Sequence, residues 1–207
     1  MCVSTSYLPC VQPNTENHDE DRAANVLPNV DQHMAAAVLT LTSPGLHFVH
    51  DGQQTGRQRR VSMHMTRRLP EQDDVINTGL KARYQMLLQA VNGAAVRNGG
   101  WERCNIREIL EDGADLGVAC SRVMTHFCWS PEEGGGPFTE VVVVVVNYSP
   151  HTVTARISSK VGSQGTCMLQ QLLQGRDIIL SDRLSPHSIP ISVETFTGEV
   201  GLLKCVC

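Results

Sequence analysis

Apolar residues recur at helical spacing in the first half of the chain. A first helix is indicated by one apolar face, which comprises Met34, Ala37, Val38 and Leu41. We expect Asp31 to cap this helix and Ser43-Pro44-Gly45 to end it. A second helix is predicted from about Asp73 and Asp74 to Asn98. Its apolar face comprises Ile76, Leu80, Tyr84, Leu87, Leu88, Val91 and Ala95.

Between these two helices, residues 46–49 form a short apolar run bounded by turn residues, which predicts a strand. The polar residues 50–53 follow it as a loop. Helix, strand, loop and helix in this order are typical of an α/β unit. We therefore predict that residues 14–98 are α/β, that residues 1–13 are an unassigned leader, and that residues 99–115 are a linker.

From about Leu116 the apolar period shortens to two residues, which predicts strands. Alternating apolar positions occur at Val153, Ala155 and Ile157 and again at Ile189, Ile191 and Val193. Residues 141–146 are an unbroken apolar run, which indicates a strand buried on both faces. Pro190 predicts an edge strand, because proline donates no hydrogen bond to a neighbour. We predict a small antiparallel β-sandwich at residues 116–207, in which a glycine-rich loop at residues 132–137 leads into the strand at residues 141–146.

Composition and charge exclude several classes of partner. The 207 residues carry a net charge of -4, and no basic stretch fits a nucleic-acid backbone or a membrane surface. The longest apolar run is far too short to span a bilayer. The eight cysteines are scattered without a C-x-x-C spacing, which predicts free thiols. With no secretory signal pattern at the N-terminus, a cytoplasmic location is the expectation.

The chemistry of the chain is concentrated in two motifs. ENHDEDRAA contains Asn17-His18-Asp19, and PGLHFVHDGQQTGR follows about thirty residues later. Together they resemble the end of the catalytic barrel in the alpha-amylase family, glycoside hydrolase family 13. The resemblance implies the C-terminal part of a (β/α)8 TIM barrel, followed by a small antiparallel β-sandwich, with a retaining mechanism on alpha-glucan substrates.

In that family the matching aspartate stabilises the transition state, which assigns this catalytic role to Asp19. His18 matches a histidine that donates hydrogen bonds to sugar hydroxyls, and Asn17 lies beside them as a substrate-binding residue. The implied partner is an alpha-glucan or oligosaccharide. We assign no cofactor and no metal-binding residue in this chain, and the resemblance leaves a calcium requirement open. The nucleophile and the acid/base belong after earlier barrel strands that match no part of this sequence. We therefore expect the chain to be inactive alone.

This sequence also departs from the family pattern. Gln12-Pro13-Asn14-Thr15 stands where the family has an apolar strand, and Asp21 stands where the family has proline. A poorly formed strand is expected there, since proline donates no ladder hydrogen bond. Two barrel strands alone would leave sheet edges unpaired, so self-association through these edges is a further expectation.

Other interpretations remain open at this point. The main alternative is a non-catalytic protein whose β-sandwich binds glucan or has a structural role. A vestigial product whose first half does not fold stably is another. Histidine-aspartate pairs such as His18-Asp19 and His50-Asp51 are also the metal ligands of metal-dependent phosphohydrolases. The metal sites of those enzymes lie on helical scaffolds, however. We interpret His50-Asp51 as a structural loop. A salt-bridged loop is also predicted for the arginine cluster of Arg57, Arg59, Arg60, Arg67 and Arg68.

Overall fold

The computed structural model of the chain describes most of residues 14–103 and the strands that follow them. The described residues are 14–61, 63–64, 76–103, 105–109, 115–119, 123–130, 140–147, 153–158, 168–171, 176–179, 189–193 and 201–206. The leader at residues 1–13, the helix start at residues 73–74 and the loop at residues 132–137 lie outside them. Within the described residues, no helix is long and apolar enough to cross a membrane.

The described residues of the first part of the chain contain four α-helices. These helices are α1 (Ala23–Val26), α2 (Val30–Thr42), α3 (Thr78–Val91) and α4 (Ala94–Asn98). A short 3-10 helix, Gln53–Thr55, lies between α2 and α3. The predicted apolar face of α2 is confirmed, because Met34, Ala37, Val38 and Leu41 are all at most 2% exposed.

The start of α2 differs from the prediction by two residues. Asn29, not Asp31, is the N-cap, and its side chain accepts a hydrogen bond from the backbone N–H of Asp31. The Asp31 carboxylate is free to pair across to α3, where Arg83 Nη1 lies 2.6 Å from it. The predicted end is confirmed, since Ser43 is the C-cap.

The predicted second helix is formed as two helices, α3 and α4. Its start within the described residues is fixed by Asn77, whose side chain accepts from the backbone N–H of Leu80. Of the predicted apolar face, Leu80, Tyr84 and Leu87 are buried, whereas Ile76 precedes the helix and is 50% exposed.

Residues 46–49 do not form the predicted strand. The backbone there is assigned no regular structure, and Leu46 is 67% exposed. A strand exists through hydrogen bonds to a neighbouring strand, and the described part of residues 14–98 contains none to pair with. Residues 46–49 are therefore not a strand in this structure, and residues 14–16, the described part of the segment before Asn17, also have no regular structure.

The described residues from Gly100 onward all lie in β-strands, as predicted for residues 116–207. These strands are β1 (Gly100–Arg103), β2 (Asn105–Ile109), β3 (Asp115–Ala119), β4 (Val123–Ser130), β5 (Glu140–Asn147), β6 (Val153–Ser158), β7 (Met168–Gln171), β8 (Arg176–Ile179), β9 (Ile189–Val193) and β10 (Gly201–Val206). They form two sheets in which every paired strand is antiparallel. The six-stranded sheet has the order β1-β4-β5-β10-β7-β8, and the four-stranded sheet has the order β3-β2-β6-β9.

Strand β5 is the centre of the larger sheet. It pairs with β4 on one side and with β10 on the other, and residues 142–146 are at most 2% exposed. The prediction of a strand buried on both faces is therefore confirmed. Helix α4 lies against β1, β4 and β5.

Strand β9 is an edge strand of the smaller sheet, with β6 as its partner among the described strands. Pro190 lies in this strand, opposite Arg156, so the prediction from proline is confirmed. Residues 99–115, which the sequence indicates as a linker, instead contain β1 and β2. Pairing with β4 and β6 stabilises these two short strands.

By contact density the chain divides into two compact units, Met1–Met86 and Leu87–Cys207. The first unit contains α1, α2 and most of α3. The second contains both sheets and α4. Within the second unit, β2 approaches β4 and β5 approaches β9, so the two sheets are in contact with each other.

Adjacent leucines of α3 provide a matched test of the packing. Leu87 is fully buried and Leu88 is 37% exposed. Leu87→Ala should lower the free energy of unfolding by about 2–5 kcal/mol, because it creates a cavity. Leu88→Ala makes the same change in helix propensity and should cost about 1 kcal/mol or less. Urea unfolding followed by circular dichroism measures both. Equal losses would contradict the described packing.

Candidate functional site

The residues predicted to form the site lie in a tight loop, residues 17–21, called here the 17–21 loop. The side chain of Asn17 holds the loop from within, because its Oδ1 accepts hydrogen bonds from the backbone N–H groups of Asp19 at 2.8 Å and Glu20 at 3.0 Å. Asparagine commonly stabilises turns in this way. Asn17 therefore determines the path of the chain at this point.

The side chains of His18 and Asp19 extend into solvent. His18 Nε2 lies 3.3 Å from Asp19 Oδ2, and the two side chains are 50% and 72% exposed. From outside the loop, Arg60 Nε donates a hydrogen bond to the backbone oxygen of His18. The structure therefore brings His18 and Asp19 together at an exposed surface.

A buried ion pair lies at the base of this loop. Glu16 precedes the loop and Arg22 follows it, and their side chains are 0% and 2% exposed. Arg22 Nη2 lies 3.0 Å from Glu16 Oε1, and Glu16 Oε2 accepts from the backbone N–H of Ala23 at 2.6 Å. The two ends of the 17–21 loop are thus joined by a carboxylate and a guanidinium that water does not reach.

The same guanidinium connects the loop to the turn after residues 46–49. Arg22 Nη2 donates to the backbone oxygen of Asp51 at 2.8 Å, and Arg22 Nε donates to that of Arg57 at 3.3 Å. Arg22 Nη1 lies 2.7 Å from Nδ1 of His50. Every nitrogen of the guanidinium therefore has a partner, which offsets the cost of burying the charge.

A second buried network has no net charge. Gln53 Nε2 donates to Thr15 Oγ1 and, at 2.9 Å, to the hydroxyl of Tyr84, and this hydroxyl lies 2.9 Å from His33 Nε2. Burial raises the pKa of Tyr84 to about 12 and lowers the pKa of His33 to about 4. At neutral pH both side chains are uncharged, so the Tyr84 proton is available to His33 Nε2.

Glycine is required at the turn that Arg22 contacts. Gly52 has φ +82°, and a Cβ there would lie 2.3 Å from Arg57 Cδ and 2.9 Å from Arg22 Nη2. Any other residue would strain the backbone and displace the buried guanidinium. The motif D-G-Q-Q thus has a structural reason for its glycine.

A cavity of about 450 Å³ lies elsewhere in the first unit. It is lined by Ala24, Leu27, Pro28, Val30, His33, Gly56, Gln58, Ile76, Asn77 and Leu80. None of the three predicted site residues lines it. We give more weight to the 17–21 loop as the candidate site, because its exposed ionisable groups rest on a buried charged base.

Sequence patterns indicated the loop but not its support. Glu16, Arg22 and Gln53 are missed, although Glu16 and Arg22 belong to the quoted motif. The signal that could have found Glu16 and Arg22 is their opposite charge at the two ends of a predicted turn, six residues apart. The predicted salt-bridged loop is confirmed for Arg57, whose Nη1 lies 2.6 Å from Asp51 Oδ2. Residues 67–68 of the arginine cluster lie outside the described residues.

The described side chains contain no group of three His, Cys, Asp or Glu residues that could hold a metal ion. His18 and Asp19 pair with each other, and His50 contacts the Glu16–Arg22 pair. The exposed 17–21 loop presents one imidazole, that of His18, and the carboxylates of Asp19, Glu20 and Asp21, which are suited to hydrogen bonding and charge stabilisation.

Comparison with known proteins identifies the architecture. No protein-family model and no curated protein sequence matches the chain. Solved structures do match. A maltogenic alpha-amylase, AmyB from Thermotoga neapolitana, shares 15% identity with a TM-score of 0.60, covering 95% of this chain and 41% of that one. An Anoxybacillus alpha-amylase shares 14% with a TM-score of 0.62, covering 92% and 37%.

A debranching enzyme from Nostoc punctiforme gives a TM-score of 0.58 at 13% identity, covering 93% of this chain and 32% of that one. The chain thus spans about two fifths or less of the length of these proteins. It is similar in fold to the C-terminal portion of alpha-amylase-family enzymes, which confirms the resemblance seen in its motifs.

Gly52→Ala should destabilise the first unit by about 2 kcal/mol or more, because the backbone is left-handed there and the new methyl meets Arg57 and Arg22. Gly79→Ala is the matched control. Its Cβ would lie 3.4 Å from the nearest side chain, in ordinary contact, and alanine favours helix by up to about 1 kcal/mol. Urea unfolding should show opposite signs. Equal stability of the two variants would contradict the described turn.

The buried state of His33 predicts a pH dependence. Its pKa is about 4 in the fold against 6.5 ordinarily. Between these values the unfolded chain binds a proton that the folded chain does not, so the free energy of unfolding should fall as the pH drops from 6.5 to 4. His33→Gln should reduce this slope, whereas the exposed control His18→Gln should retain it. Urea unfolding across this range checks the prediction, and an unchanged slope in His33→Gln would refute it.

Proposed function

We propose that this chain is the C-terminal part of an alpha-amylase-family glycoside hydrolase or glucan transferase, and that it binds alpha-glucan at the 17–21 loop. One observation carries the proposal. In a fold similar to these enzymes, His18 and Asp19 are exposed together on a loop whose two ends are joined by the buried Glu16–Arg22 pair. Ligand-binding groups are effective when a rigid base fixes them in this way.

Ligands of similar proteins indicate the substrate class. The Nostoc punctiforme debranching enzyme was soaked with acarbose, and AmyP was solved with maltose and, as E221Q, with maltotriose. These proteins share 13–15% identity with the chain. Their ligands support an alpha-glucan as the partner proposed for this chain.

The proposed roles follow the chemistry of each group. Asp19 provides a carboxylate that stabilises positive charge developing on a sugar ring and accepts hydrogen bonds from its hydroxyls. His18 donates a hydrogen bond to the same hydroxyls. Asn17 uses its oxygen to shape the loop, and its amide Nδ2, which has no partner among the described residues, is available as a second donor.

The architecture proposed for the whole chain follows the same similarity. The first unit is proposed as the last part of a (β/α)8 barrel, in which residues 14–17 and 46–50 occupy the positions of the last two strands. The two antiparallel sheets of the second unit are proposed as a β-sandwich, since β2 approaches β4 and β5 approaches β9. In this arrangement the nucleophile and the acid/base are supplied by sequence other than these 207 residues.

Asp19→Asn should weaken the binding of maltotriose about tenfold or more, because a hydrogen bond to an ionised group contributes about 1.5–3 kcal/mol. Glu20→Gln is the control, since Glu20 is an exposed neighbouring carboxylate in the same loop. Isothermal titration calorimetry of the 207-residue chain measures both. The expected wild-type Kd is about 1 mM or weaker, as for a partial cleft, without release of glucose or maltose.

Two results would contradict this proposal. If Asp19→Asn and Glu20→Gln both bind maltotriose like the wild type, the binding site lies away from the 17–21 loop. A non-catalytic glucan-binding surface on the sheets would then be the better interpretation. If the wild-type chain binds neither maltotriose nor insoluble starch, glucan recognition itself is wrong.

A further inference from the structure

The side chain of His50 is held rigidly at the turn that contacts Arg22. Its backbone N–H donates to Gln53 Oε1 at 3.2 Å, and its backbone oxygen accepts from the N–H of Gln53 at 3.0 Å. The imidazole stacks on Phe48, with ring centroids 6.2 Å apart and planes 21° apart. The ring keeps 24% of its surface exposed. The His50 side chain is therefore fixed by its neighbours and still partly exposed.

Arg22 determines which nitrogen of His50 carries the proton. Arg22 Nη1 lies 2.7 Å from His50 Nδ1, and a guanidinium group can only donate. Nδ1 must therefore be the acceptor, so the proton of the neutral imidazole lies on Nε2. Glu16 Oε1 is also 3.3 Å from Nδ1. The shorter contact, to Arg22, determines the tautomer, because a proton on Nδ1 would point at the Arg22 N–H donor 2.7 Å away.

Nε2 is then a hydrogen-bond donor that has no partner among the described residues. The His50 ring is partly exposed, and its other nitrogen, Nδ1, contacts the buried guanidinium of Arg22. A donor held in this way loses little conformational entropy when it binds a ligand. This combination is typical of a binding group rather than of a side chain that only fills space.

The same ion pair supports His50 and the 17–21 loop. Glu16 directly precedes Asn17, and Arg22 directly follows Asp21. Both charged groups lie within 3.3 Å of His50 Nδ1. The position of the imidazole is thus tied, through two buried side chains, to the position of His18 and Asp19.

We propose that His50 is a further glucan-binding residue, whose Nε2–H donates a hydrogen bond to a sugar hydroxyl of the ligand held by the 17–21 loop. This inference rests on the glucan-binding function proposed above. The Glu16–Arg22 pair acts as a positioning element that holds the donor tautomer of His50 and the loop in one arrangement.

Two substitutions separate this role from a structural one. His50→Asn places an amide oxygen near the position of Nδ1, where it accepts from Arg22, but it has no group at the position of Nε2. Maltotriose affinity should fall about threefold to tenfold, the value of one neutral hydrogen bond. The unfolding midpoint should fall less than in His50→Gln, because both variants lose the stacking on Phe48 and only His50→Asn keeps an acceptor for Arg22. His50→Gln places its amide nearer to the position of Nε2. It should retain most of the affinity and lower the midpoint, because Arg22 loses its partner.

A second measurement reads the donor directly. The measurement is ¹⁵N NMR of the protein with ¹⁵N-labelled histidine, at about pH 8, where histidines are ordinarily neutral. The ring signals of His50 should be those of the tautomer protonated on Nε2. Addition of maltotriose should shift its Nε2 resonance. The proposal is overturned by the tautomer protonated on Nδ1, or by wild-type affinity in His50→Asn.

The two proposals fail in different ways. If maltotriose shifts the backbone amide of Asp19 but leaves the Nε2 resonance of His50 unchanged, His50 is not a ligand-binding residue and the proposed function stands. If maltotriose shifts neither signal and calorimetry detects no binding, the glucan-binding function is wrong and the role of His50 fails with it.

Discussion

The first unit depends on one buried ion pair, between Glu16 and Arg22. Both side chains are almost completely removed from water, and burying two charges costs several kcal/mol per ion unless hydrogen bonds offset it. Arg22 meets this condition by donating to two backbone oxygens as well as contacting Glu16 and His50. Such a pair holds one geometry well, since each displaced hydrogen bond leaves a buried charge unsatisfied. The exposed tip of the 17–21 loop therefore has a rigid base.

Hydrophobic periodicity predicted the elements that bury a continuous apolar face. The face of α2 and the both-sides-buried strand β5 follow from side-chain spacing alone, and Pro190 indicated an edge strand because proline lacks a donor. Residues 46–49 show the limit of such patterns. They have the composition of a strand, but a strand forms only with a hydrogen-bonded neighbour. Conversely, the short strands β1 and β2, in a segment whose sequence indicates a linker, form because β4 and β6 pair with them.

The candidate site was predicted only in part for a related reason. The motif indicated Asn17, His18 and Asp19, but Glu16 and Arg22 carry charges that local sequence assigns to solvent. Their burial depends on partners about thirty residues further along the chain, at the turn of residues 50–57. Side-chain periodicity carries no information on such a long-range pairing of charges with backbone oxygens.

The turn at residues 50–53 joins the charged network to the neutral one. Gln53 uses both amide hydrogens, toward Thr15 and Tyr84, and its oxygen accepts from the N–H of His50. His50 in turn contacts Arg22, so the polar groups of the two networks are continuous from His33 on α2 to Glu16. The backbone must turn sharply to place His50 and Gln53 on these two sides. The left-handed Gly52 between them allows this turn, and its lack of a Cβ leaves room for the guanidinium of Arg22.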